Sequence, residues 1–130
     1  MRRSPVGVDD SRATRHTIRF MYVQPPVRPS RSELDALGKV LTVANVVDEA
    51  WFAGRLHRTV GAEDRTSSMI VLVVDEPRSV TVRPELTRLV HELSVVATDL
   101  GLEIESWAFV PPLVVERELE SCAVRIYASE

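Results

Sequence analysis

Met69-Ile70-Val71-Leu72-Val73-Val74, followed by Pro84 to Leu100 and then by Ile104 to Val110, is the stretch on which the fold turns. The first run is apolar on both faces, which suits a central strand covered from both sides. Between the runs, Leu86, Leu89, Val90, Leu93, Val96, Ala97 and Leu100 recur at three- and four-residue steps, the pattern of an amphipathic helix. Pro84 fits its first turn, where a missing N–H costs nothing, and Glu85 favours the positive end of the helix dipole. Gly101 reads as the residue just past its end, where a positive φ is free of strain. Strand, helix, strand is the predicted order, and it sets an α/β or α+β class.

Working toward the N-terminus, Ser30 and Glu33 have capping-box spacing. Leu34, Leu37, Leu41, Ala44, Val47 and Trp51 then form one stripe, which predicts a helix from about Arg31 to about His57, with a break near Asp48 or Gly54 as the alternative. Trp51 and Phe52 are adjacent, so on that helix one of them at least belongs to the core. Before it, residues 15–23 alternate as a strand, with His16, Ile18, Phe20 and Tyr22 on one face. Gln24-Pro25-Pro26 ends that strand, because proline cannot donate to a ladder. Residues 1–12 lack periodicity and read as a mobile basic tail, leaving 13–130 as a single α+β domain.

Working toward the C-terminus, Leu102, Ile104, Ser106, Ala108 and Val110 fall on one strand face, and Glu103, Glu105, Trp107 and Phe109 on the other. Pro111-Pro112 stops the strand, and Ala123 to Tyr127 alternates as a last strand, suited to an edge. If Ser79 to Arg83 pairs with the apolar run, the first six elements read β-α-β-β-α-β, a ferredoxin-like plan with two helices on one sheet face. If that segment is a loop, a small three-layer α/β sheet is the alternative.

Composition narrows the classes. At 130 residues, 45% apolar and 27% charged, the chain is long and apolar enough for its own core. A lone Cys122 forms no internal disulfide, which points to a reducing compartment, the cytoplasm. No apolar run approaches the roughly 20 residues of a membrane helix. The basic residues are 15 Arg and one Lys, a bias that fits a GC-rich bacterial coding sequence. Residues 1–31 carry seven Arg against Asp9 and Asp10, whereas residues 32–130 carry 9 basic and 17 acidic residues. A basic arm thus precedes an acidic body.

Signatures of chemistry are scarce. The sequence lacks the phosphate-binding, dinucleotide-binding and nucleophile-elbow glycine patterns, and it lacks C-x-x-C and H-E-x-x-H. No cofactor and no metal is predicted. His91 reads as a boundary residue of the second helix, His57 as a cation at the end of the first, and His16 as a strand residue without a neighbouring carboxylate. Asp75 and Glu76 follow the apolar run, where open α/β sheets place ligands, and also suit an ordinary turn. Cys122 has no basic neighbour in sequence to lower its thiol pKa.

The strongest surface signal is Trp107 and Phe109, two large aromatics on one side of a strand. Leaving them in water costs roughly 25 cal/mol per Å² of apolar surface, so they are expected to meet helices or a partner. The leading expectation is a non-enzymatic interaction or regulatory module that self-associates through its sheet. Trp107 and Phe109 are its contact residues, with Arg15 and Arg19 on the basic arm. The partner is a second copy or another protein, not a membrane. One rival is a small enzyme that gathers Asp75, Glu76 and a histidine. The other is nucleic-acid binding through Arg2, Arg3, Arg12, Arg15 and Arg19.

Overall fold

A computed structural model of the chain describes residues 21–58, 60–75 and 80–129. Among these, a mixed five-strand sheet carries two long α-helices, an α+β arrangement. The expected strand at 15–23 falls mostly outside the described residues; its described end is strand β1, Tyr22–Val23. The tail proposed for 1–12 lies outside them altogether.

Helix α1 spans Arg31–Ala44 and begins on the expected capping box. The Glu33 N–H donates to Ser30 Oγ at 3.2 Å, and the Ser30 N–H donates to Glu33 Oε1 at 2.7 Å. Its end departs from the expectation of a helix to His57. Asn45 adopts a left-handed conformation (φ 51°), and its N–H donates to the Leu41 carbonyl at 2.9 Å. Asparagine enters that region at little cost and so can close a helix. Residues Glu49–His57 then form strand β2. Trp51 and Phe52 are therefore both core residues, on opposite faces of a strand.

Strand β3, Arg65–Val73, makes a nine-pair antiparallel hairpin with β2, from Glu49↔Val73 to His57↔Arg65. Helix α2, Arg83–Asp99, follows, and then strand β4, Ser106–Val110, which runs parallel to β3 in the register Met69↔Ser106 to Val73↔Val110. The predicted strand-helix-strand block is thus present, with Pro84 in the first turn of α2. Gly101 (φ 79°) closes that helix: its N–H donates to the Thr98 carbonyl at 3.0 Å, and the Leu102 N–H donates to the Ala97 carbonyl at 2.8 Å. This is the paired bonding of a Schellman end. Beyond β4, a π-helical turn at Val115–Leu119 leads to strand β5, Val124–Ala128.

The ferredoxin-like plan needs correction at two points. Its hairpin partner, residues 79–83, is not a strand where it is described: Val80 to Val82 lead into α2, and Arg83 opens it. The hairpin is made instead by β2, drawn from residues expected to be helical. The sheet order is β1-β2-β3-β4, with β5 also on β2. Strands β3 and β4, joined by α2, are direct neighbours, whereas a split βαβ unit places another strand between them. Strands β1 and β5 share one edge of β2, at residues 54–55 and 49–52 respectively.

Both helices lie on one face, as expected. Leu37 and Leu41 of α1 and Leu86, Leu89, Leu93 and Ala97 of α2 enclose Ala50, Phe52, Ile70 and Leu72. The opposite face, which a ferredoxin-like plan with both helices on one side would leave open, is covered by the chain itself. Val115 and Leu119 of the π-helical turn pack with Trp51, Ala53, Met69, Val71 and Val73. That double burial explains why the Met69–Val74 run shows no polar alternation.

Candidate functional site

With both faces covered, what the sheet itself still presents is its edges. Strand β4 pairs with β3 on one side, and among the described residues nothing pairs with its other side. Its side chains alternate as the sequence predicts. Ala108 and Val110 are buried toward the π-helical turn. Trp107 lies half-buried against the helix-side core, and Phe109, on the same face, is 49% exposed. The alternation does not extend back to Leu102 and Ile104, which precede the strand and also join the helix-side core. Leu113, just past the strand, is exposed as well.

The edge is open in a chemical sense too. Natural edge strands are blunted by charges, proline, bulges or a covering element. Strand β4 reads Ser-Trp-Ala-Phe-Val, with no charge and no proline. Glu105, just before it, is held by Arg65 at 3.1 Å, which offsets the nearest carboxylate. The edge at β5 is guarded by comparison. It carries the exposed Arg125, its pairing shifts register between Ala50 and Trp51, and α1 lies close enough that a Cβ on Gly38 would stand 3.5 Å from the Ile126 carbonyl.

A polar group gathers on the π-turn face where β2 and β3 meet their loop. His57 Nε2 and Ser67 Oγ are 2.7 Å apart, and Arg55 Nη1 donates to Ser106 Oγ at 3.2 Å. Ser67 is 2% exposed, so its hydroxyl is closed to a substrate, and the histidine satisfies a buried polar group. Nearby, burial and then Glu118 push the Tyr22 phenol up to about 12. Burial and then Glu118 also raise the Cys122 thiol, whose Sγ donates to the Glu118 carbonyl at 3.3 Å. A raised thiol pKa means less thiolate and lower reactivity.

The remaining sequence candidates do not converge. Asp75 is exposed beyond the end of β3, and Glu76 lies outside the described residues. His57 pairs with Arg65 at the start of that strand. At roughly 3.3 Å per residue, about 30 Å separates His57 from Asp75, too far to share a substrate. His91 is exposed on α2, while His16, Arg15 and Arg19, with the rest of the basic arm, lie outside the described residues. Among the described residues, no three His, Cys, Asp or Glu side chains are grouped to hold a metal, and no helix is long and apolar enough to cross a membrane.

Sequence reasoning put Trp107 and Phe109 on one face of a strand, as the structure has them, but missed the His57–Ser67 pair. The helix expected to continue to His57 hid the hairpin that brings the two together. Comparison of the chain with protein families, curated proteins and solved structures gave no significant match.

Proposed function

We propose that this domain is a non-enzymatic interaction module of the cytoplasm that self-associates through its sheet, by way of the β4 edge. The observation that carries the reading is an uncharged, proline-free edge strand with Phe109 half in water. Strand addition to such an edge supplies main-chain hydrogen bonds, and alternate side chains supply selectivity. Two further features support it. The candidate acid and histidine lie at opposite ends of β3, and the His57–Ser67 pair is sealed. The lone Cys122, with its thiol pKa raised, is compatible with a reducing compartment.

Size-exclusion chromatography with light scattering tests the reading. A dimer is expected at tens of micromolar, a range that reports even modest affinities. Phe109→Lys places a charge on the edge and is expected to yield a monomer with unchanged circular dichroism. A wild-type protein that stays strictly monomeric at those concentrations overturns self-association.

A further inference from the structure

Resting on that reading, we infer that the partner is a second copy whose β4 runs antiparallel to the first about a two-fold axis through Ala108. The order of residues along the edge leads there. In Ser106-Trp107-Ala108-Phe109-Val110, the two aromatics flank the central alanine symmetrically. An antiparallel pairing centred on Ala108 sets Ala108 against its own copy, Trp107 against Phe109 and Ser106 against Val110. The Trp107–Phe109 and Ser106–Val110 pairs each occur twice and Ala108 meets its own copy once on the axis, as an isologous contact requires.

Opposed residues in an antiparallel pair share a sheet face. The half-exposed Phe109 of each copy therefore covers the half-buried Trp107 of the other, on the helix side of a continuous sheet. Aromatic pairs are among the favoured cross-strand neighbours. A register shifted by two residues loses both Trp107–Phe109 pairings and leaves a single aromatic self-pair. A shift by one sets aromatics on opposite faces. Charge does not oppose the contact. The five residues are uncharged, and the flanking Glu105 is already paired with Arg65 of its own chain at 3.1 Å.

Cysteine crosslinking in a Cys122→Ser background reads the register directly. Directly opposed residues in an antiparallel pair have Cα atoms about 4.5–5.5 Å apart, within disulfide reach. Ala108→Cys is expected to give a disulfide-linked dimer under mild oxidation by copper phenanthroline. Ser106→Cys alone is expected not to, because its two copies lie about 13 Å apart in this register. A mixture of Ser106→Cys and Val110→Cys proteins is expected to crosslink, and it keeps the test alive if Ala108→Cys does not fold.

A dimer by light scattering that crosslinks through Ser106→Cys alone, or through neither Ala108→Cys nor the mixture, overturns this register and leaves the interaction reading standing. A strict monomer removes both.

Discussion

Gly54 shows how much one residue decides. It pairs with Val23 where β1 meets β2, and a Cβ there would fall on the Gln24 carbonyl oxygen. Backbone cannot retreat as a flexible side chain can. Gly54→Ala is therefore expected to lose about 1–3 kcal/mol, or to detach β1, as measured by urea unfolding. Tyr22, in the same strand, makes a pH prediction. Its phenol ionises near 10 in the unfolded chain and near 12 in the fold. Between those values the folded state binds more protons than the unfolded state. The stability that this phenol contributes is complete below about pH 10 and is lost as pH rises toward 12. Urea midpoints across that range are expected to fall, and to fall less steeply in Tyr22→Phe.

Among the elements, α1 and α2 differ in how openly the sequence announces them. Helix α2 has an uninterrupted stripe, a proline in its first turn and a glycine at its end, and each of these signals is realised in the structure. Helix α1 announces its start as clearly. Ser30→Ala is expected to cost about 1 kcal/mol, visible as a lower urea midpoint. Its end is concealed, because Val47 and Trp51 continue the three- and four-residue spacing by coincidence. Asn45 was the available signal, and its left-handed conformation breaks the stripe. Strand β2 was hidden for a related reason. It is buried on both faces, so its hydrophobicity has no period of two to reveal it. The π-helical turn was equally unreadable: Glu116 to Glu120 is a charged stretch, yet Leu119 within it is fully buried. Leu119→Ala is expected to lose about 2–5 kcal/mol, measured by thermal or urea unfolding.

At the scale of the molecule, covering both sheet faces changes where a partner can bind. A ferredoxin-like sheet with one bare face would offer that face. This sheet buries Trp51, Met69, Val71 and Val73 beneath Val115 and Leu119, so what it leaves uncovered among the described residues is its margins. Of the margins described, β5 is guarded by charge, irregular pairing and a helix, and β4 is not. The aromatics noticed in the sequence thus keep their proposed role for a different reason. Trp107 is partly covered by the helix-side core, and Phe109 is left at the edge. Leucine and valine placement does not forecast this, because the exposure of a strand depends on which strands become its neighbours.

The α+β class, the β3–α2–β4 unit, the start of α1, the Gly101 stop and the alternation of Trp107 and Phe109 were determined by the sequence itself. Each arises from contacts within a few residues, where spacing, caps and positive φ leave local marks. The identity of β2 as a strand, the sealing of the second face and the exposure of one edge were decided only by tertiary structure. They depend on partners distant in the chain, as where Glu49 pairs with Ala128, and a stretch apolar on every side carries no local record of what will cover it.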